Sequence, residues 1–265
     1  MKKFNDKVVW ITGASSGIGY ELAKSFYEEG AFLALSARRL ERLQSLQESL
    51  GPRAKVYELD VRDKEQVFIT AQKIVSDFGK LDTVIANAGY SVVGPFVSTQ
   101  ENVWRRLFDT NVFGVIWTLQ AAIPYLKITK GSIAIMSSIA GKIGIGNTSA
   151  YAASKFALMG FGNALYQELY KDGVSVSIIA PGIIESEISM VDNYGQLNLA
   201  RSDKRPKYFM WSAQKASNYI VKKIFLRKRE IIVTNHGKFG DFLVRYFPNF
   251  TYWLLASLGF TSRKE

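Results

Sequence analysis

KVVWITGASSGIG, residues 7–19, is the stretch whose reading decides the fold. Its first half is a short apolar run rich in β-branched residues, the pattern of a strand buried on both faces. Its second half is a turn in which Gly13, Gly17 and Gly19 stand at G-x-x-x-G-x-G spacing, with Ser15, Ser16 and Ile18 between them. A helical pattern then runs from Gly17 to about Glu29, and Gly30 ends it. Glycines at a strand-to-helix turn let backbone N–H groups approach a pyrophosphate, whose charge the helix N-terminus stabilises. Glycine-rich turns also occur for steric reasons alone, so the spacing is a modest signal that its position between strand and helix strengthens. No Lys-Ser/Thr pair follows, which disfavours a phosphate loop of the NTPase type.

The same alternation continues along the chain. Strand patterns at AFLALSA, KVYELD, LDTVIANAG, GSIAIMSS, VSVSIIAPG and EIIVT are separated by helical patterns. The helices are placed at RLERLQSLQESLG, Lys64–Phe78, Glu101–Leu126, Ala150–Tyr170 and Ser212–Phe225. Strands this apolar, joined by helical crossovers, predict an α/β fold: a doubly wound parallel sheet with helices on both faces. With no low-complexity linker and no internal repeat, residues 1–265 are read as one domain. The longest break in the pattern, about 186–208, is expected to be a lid over a site at the strand ends.

The second strand ends LSARR, where a doubly wound fold meets the adenosine ribose. Here an acidic side chain would accept from a free 2′-hydroxyl, whereas this chain has Ala37, Arg38 and Arg39. A guanidinium matches a phosphate in charge and fork geometry, so NADP(H) is the expected cofactor. The competing reading is that both arginines merely open a solvated helix.

YAASK, residues 151–155, places a phenol and an ammonium four positions apart, on one face of a helix. Such pairs are common in ordinary helices. A free phenol titrates near pH 10, and a nearby cation favours phenolate, so the pair can also serve acid/base chemistry.

Taken in order, TGASSGIG, LDV (59–61), NAG (87–89), Asn111, Ser138, YAASK and PGIIES resemble the "classical" short-chain dehydrogenase/reductase (SDR) family over roughly residues 6–235. The resemblance implies a Rossmann fold and carbonyl–alcohol interconversion by hydride transfer. Asp60 and Val61 look like the pair at the adenine ring, and Asn87, Ala88 and Gly89 like the stretch at its ribose. Asn111, Ser138, Tyr151 and Lys155 look like the catalytic tetrad. Tyr151 would be the acid/base, Ser138 would stabilise the carbonyl oxygen, and Asn111 would hold a water. Lys155 would tune Tyr151 and hold the nicotinamide ribose. Pro181, Gly182 and Ile184 resemble the segment flanking nicotinamide, and Ser186 stands where the family usually has Thr.

Composition narrows the alternatives. There is no cysteine and one histidine, so disulfides and thiolate metal sites are excluded, and zinc catalysis and a Ser-His-Asp hydrolase are disfavoured; no metal is expected. The lone His236 reads as a turn residue after the last strand. From Arg201 onward 14 basic residues face 4 acidic ones, whereas residues 1–200 carry 20 and 19. That asymmetry suits an anionic partner, but no nucleic-acid motif accompanies it, and nucleic acid is not expected. The C-terminal extension, about 236–265, has no charge between Arg245 and Arg263 and is rich in Phe, Tyr and Trp. Pro248, Asn249 and Gly259 interrupt it, which argues against a spanning helix and suits a segment lying in a membrane interface. A subunit interface or a cover over the substrate mouth would use the same residues.

MKKFNDKVVWITG lacks the apolar core of a signal peptide, and the expected location is cytoplasmic, with peripheral membrane contact as a second element. The apolar residues 139–150 and those of the lid (Ile188, Met190, Val191, Tyr194 and Leu197) favour a small lipophilic carbonyl or alcohol such as a steroid or ketolipid. The alternatives are a 3-oxoacyl-carrier-protein reductase and a non-catalytic NADP-sensing binding protein. Family resemblance implies a homodimer or homotetramer.

Overall fold

A computed structural model describes residues 2–198 and 207–259. The predicted lid (186–208) and tail (236–265) therefore lie partly outside the described residues. Seven strands form one parallel sheet: β1 (Val8–Thr12), β2 (Phe32–Ala37), β3 (Ala54–Glu58), β4 (Thr83–Ala86), β5 (Ser132–Met136), β6 (Ser175–Ala180) and β7 (Glu230–Ile232). Their order is β3-β2-β1-β4-β5-β6-β7. The chain winds outward from β1 in one direction and then returns to add β4 on its other side, in register Val9↔Thr83 to Ile11↔Ile85. A crevice opens at that switch, outside the carboxyl ends of β1 and β4.

The helices divide between two cores. On one face α1 (Gly17–Glu28), α2 (Leu40–Leu50) and α7 (Ala213–Phe225) pack Leu22, Phe26, Leu43, Leu46, Ile220 and Ile224 against Val9 and Ile11. On the other, α3 (Lys64–Phe78), α5 (Gly114–Thr129) and α6 (Ser149–Leu169) pack Ile74, Leu119, Leu126, Leu158 and Leu165 against Val8 and Trp10. β1 is buried along its whole length, as its unbroken apolar run requires. Local chemistry sets the ends of α3: Asp63 accepts from the Gln66 N–H at 3.0 Å, and Gly79 closes the helix in the left-handed region at φ 76°.

The helix expected over Glu101–Leu126 is continuous but not uniform. It comprises α4 (Glu101–Phe108), a π turn over Asp109–Phe113, and α5. Among the described residues this run, 101–129, is the one helix long and apolar enough to cross a membrane; its Val115, Leu119, Ala122 and Leu126 pack on the sheet. The C-terminal extension forms two short helices, α8 (Asn235–Tyr246) and α9 (Pro248–Ser257). His236, read from sequence as a turn residue, instead lies in the first turn of α8, which Thr234 caps by accepting from Gly237 N–H.

Candidate active site

The glycine turn uses backbone that residues with a side chain rarely adopt. Gly13 and Gly17 have φ of +69° and +56°. A Cβ on Gly13 would lie 2.8 Å from Ala88 Cα, and one on Gly19 would strike the Gly13 carbonyl and the Asn87 amide. Asn87, expected at a ribose, also braces the turn: Nδ2 donates to the carbonyls of Thr12 (3.0 Å) and Gly13 (3.3 Å). Thr12 Oγ1 in return accepts from the N–H groups of Asn87 and Ala88. The end of β4 thus braces the turn. Ser16, at the N-cap of α1, makes no capping bond to the first helical turn, so its side chain does not compete with an anion there.

Arg39 is the guanidinium that reaches this turn. Its Nε and Nη2 each lie 3.2 Å from Ser15 Oγ, and Nη2 lies 2.7 Å from Ser16 Oγ. Arg38 turns away and donates to the Gly195 carbonyl at 2.9 Å. Glu187 was not anticipated here: it pairs with Arg39 at 3.1 Å and Arg42 at 2.7 Å. Burial raises the Glu187 pKa, but hydrogen bonds from Arg42 and Arg39 outweigh it and leave the carboxyl below its ordinary value. An open cavity of about 320 Å3 lies among Ser15, Ser16, Gly17, Tyr20, Arg42 and Glu187. A basic, serine-lined turn at a helix N-terminus fits a dinucleotide's phosphates.

Asp60 and Val61 leave β3 beside this end of the crevice. Asp60 is held by Arg62 Nε at 3.0 Å, while Val61 is buried against Gly114 at the start of α5. Burial raises the Asp60 pKa, and the Arg62 hydrogen bonds more than reverse it.

The second cluster joins α6, the end of β5 and the π turn. Lys155 is 4% exposed, and its Nζ donates to the Met136 carbonyl at 2.9 Å and lies 5.7 Å from the Tyr151 ring centre. Burial lowers its pKa to about 8, so most of it still carries charge at neutral pH. Ser137 Oγ donates to the Lys155 carbonyl, tying α6 to β5. Asn111, fully buried in the π turn, exchanges two hydrogen bonds with the backbone of Tyr90 and donates to Ser154 Oγ at 3.2 Å. Ser154 in turn donates to the Tyr151 carbonyl at 2.7 Å. A Cβ on Gly89 would lie 2.9 Å from Asn111 Oδ1 and 3.5 Å from Lys155 Nζ, so this glycine lets the β4 end approach both. Ser138 follows β5 and accepts from the Ala140 N–H at 3.1 Å. Mid-helix π turns recur at functional sites because the inserted residue re-aims its neighbours.

Pro181 to Ser186 leave β6 at the same end. Ile139 N–H donates to the Pro181 carbonyl at 2.8 Å, placing this segment beside Ser138. Gly182 lies so close to Thr234 and His236 that a Cβ would collide with both. His236 Nε2 accepts from the Ile183 N–H at 2.9 Å, and burial lowers the imidazole pKa. Ile184 is buried in the core, and Ser186 Cβ lies 3.2 Å from where a Gly17 Cβ would stand. The described part of the segment expected to be a lid, 186–208, forms a small hairpin, Val191 bridging Leu197. Its tip is fastened by Asn193, which exchanges hydrogen bonds with Val93, and by Arg106, which donates to the Tyr194 carbonyl at 2.7 Å.

The comparisons agree with this geometry. Residues 7–196 match the family described as short chain dehydrogenase. Dehydrogenase/reductase SDR family member 7B of Xenopus laevis is 34% identical over 242 residues, covering 85% of this chain and 73% of the relative. An alcohol dehydrogenase from the archaeon Thermococcus sibiricus, solved with 5-hydroxy-NADP, is similar at a TM-score of 0.75 and 25% identity, over 86% of this chain and 96% of that one. A short chain dehydrogenase/reductase from Burkholderia phymatum, solved with NAD, shares the fold at a TM-score of 0.84 and 23% identity, over 94% and 96% of the two chains. With a glycine turn shaped for a dinucleotide and a buried lysine beside a tyrosine at the same sheet edge, the chain belongs to the short-chain dehydrogenase/reductase family of oxidoreductases.

Proposed function

We propose that this chain is an NADP(H)-dependent oxidoreductase that interconverts a carbonyl and a secondary alcohol on a small lipophilic substrate. The observation that carries the reading is the desolvated Lys155 ammonium one helical turn from Tyr151. Gly13, Ser15, Ser16, Gly17, Ile18 and Gly19 would hold the dinucleotide's phosphates, and Arg39, with Arg38 beside it, a 2′-phosphate. Asp60 and Val61 would meet the adenine, Asn87, Ala88 and Gly89 the ribose, and Pro181, Gly182, Ile184 and Ser186 the nicotinamide. Bound NADP(H) supplies or accepts the hydride.

The chain's own groups handle the proton. In reduction Tyr151 Oη gives its proton to the carbonyl oxygen as charge develops there, and in oxidation it takes the alcohol proton back. The Lys155 cation favours the phenolate left behind. Ser138 Oγ donates a hydrogen bond to the same substrate oxygen. Asn111, held in the π turn by bonds to the Tyr90 backbone and to Ser154, would hold a water that returns a proton through Lys155. Arg39 on Ser15 supports NADP(H) over NAD(H), and Ile188, Met190, Val191, Tyr194 and Leu197 support a lipophilic substrate.

An NADPH-depletion screen over ketosteroids, 3-ketolipids, retinoids, quinones and acyl thioesters tests the reading. Tyr151→Phe is expected to lose about 10²- to 10⁴-fold in turnover, the scale of a lost general acid, while NADPH binding followed by fluorescence is retained. Near-normal turnover in that variant rejects the assignment.

A further inference from the structure

The last two helices carry a surface that the site does not use. From Phe239 to Leu258 eight large apolar side chains are exposed: Phe239, Phe242, Tyr246, Phe247, Phe250, Tyr252, Trp253 and Leu258. Phe239, Phe250, Trp253 and Leu258 each keep more than half of their surface in water. Scattered apolar side chains are ordinary on a protein surface, but eight in twenty consecutive residues call for a partner.

This face is built on a firm base. Lys142, only 10% exposed in its side chain, pairs with Asp241 on α8 at 2.7 Å and with Glu230 on β7. Arg245 reaches the same two carboxylates at 3.6 and 3.8 Å. Thr251 is the buried residue of α9, and Tyr252 Oη accepts from the Gly144 N–H at 3.4 Å. Gly240 approaches Ile143 so closely that a Cβ would lie 2.9 Å from its Cδ1. The helices therefore rest on residues 142–144, in the segment that joins Ser138 to Tyr151.

We propose that α8 and α9 dock the protein on an anionic phospholipid surface and set the mouth of the active site against it. Charge complementarity selects that occupant: residues 208–259 carry 8 basic and 2 acidic side chains, and the exposed Lys238 stands on the first of the two aromatic helices, with Arg245, partly engaged by Asp241 and Glu230, near its end. Aromatic rings with neighbouring cations suit the headgroup boundary, where rings bury and cations meet lipid phosphate. With lengths of 12 and 10 residues, and Pro248 and Asn249 at their join, neither helix can span a bilayer. An acidic carrier protein would instead select a face whose exposed residues are mainly cationic, and this one is mainly aromatic.

Co-sedimentation of the full chain with vesicles tests the proposal by partitioning, independently of turnover. One set is pure phosphatidylcholine and the other contains about a third phosphatidylserine, enough to give a negative surface potential. The expected result is at least tenfold stronger binding to the anionic vesicles, weakened by salt. Phe250→Ser with Trp253→Ser is expected to lower that binding about a hundredfold, with the thermal midpoint unchanged because both side chains are exposed. Lys238→Glu is expected to lower it severalfold on anionic vesicles and not on neutral ones. Failure of the full chain to sediment with either set overturns the proposal. So does a halving of the solution mass in the double variant without a change in vesicle binding, which would make this face a contact between copies of the chain.

Discussion

Lys155→Met should make the protein more stable at neutral pH while removing the cation that the proposed chemistry needs. Burial holds the Lys155 pKa at about 8, against 10.5 for the free side chain. One pKa unit corresponds to about 1.4 kcal/mol, so keeping the charged form in this site costs about 3 kcal/mol. The ammonium recovers part of this through its bond to the Met136 carbonyl, about 1–2 kcal/mol for a charged donor. A methionine of similar length pays no desolvation cost, and the net expectation is a gain of about 1–2 kcal/mol at pH 7.

The pH dependence is the sharper part. Below pH 8 both folded and unfolded wild type bind the Lys155 proton. Between about pH 8 and 10.5 the folded state has released it and the unfolded state has not, so wild-type stability rises with pH through that window. The variant lacks this rise. Its advantage should shrink by about 2 kcal/mol between pH 7 and pH 9.5 and vanish or reverse. Urea unfolding of cofactor-free protein, at one protein concentration and both pH values, measures the difference. A variant less stable than wild type at pH 7, or a difference that does not move with pH, would refute a desolvated Lys155 ammonium.

The remaining predictions concern the basic turn and the sheet. Arg39→Ala should weaken NADPH binding about 10- to 100-fold, the scale of one or two charge-assisted hydrogen bonds, and leave NADH nearly unchanged; isothermal titration with both cofactors checks it, and equal losses would remove Arg39 from the 2′-phosphate site. Glu187→Gln releases Arg39 and Arg42; because these pairs are partly exposed the effect is about 0.5–1 kcal/mol, a two- to fivefold gain in NADPH affinity, and a loss would show that the carboxylate aids the cofactor. Gly131→Ala would press a Cβ into the Asp82 backbone carbonyl and to 2.8 Å from Leu126 Cδ2; it should cost about 2–3 kcal/mol in urea unfolding with cofactor affinity kept, and a cost under about 0.5 kcal/mol would mean the β4–β5 edge yields easily.

Legibility followed the range of the forces involved. The bounds of α3 match those read from the sequence at both ends, because Asp63 and Gly79 act on their own helix. The parallel sheet was legible because each strand's apolar run answers to burial on both faces. The π turn at Asn111 was not, since one added residue barely disturbs an apolar periodicity spread over 29 residues. That the Asn87 amide braces the glycine turn, through bonds to residues 74 and 75 positions away, was not legible either. The role of His236 was not legible because its partner, the Ile183 N–H, comes from the segment after β6, 53 residues upstream. Side-chain bonds to distant backbone leave no local pattern in a sequence.

The lid shows what that blind spot hides. Its first turn holds Arg39 through Glu187, and its hairpin tip holds Arg38 through the Gly195 carbonyl. The two arginines read from sequence as a 2′-phosphate site are thus the same two cations that fasten the lid. On the proposed function, a 2′-phosphate would compete with the Glu187 carboxylate and the Gly195 carbonyl for these cations, and by linkage a change that frees the arginines would favour that phosphate. On that proposal Glu187 and Gly195 influence cofactor affinity through the two arginines they hold, although neither has a charge that could attract a dinucleotide.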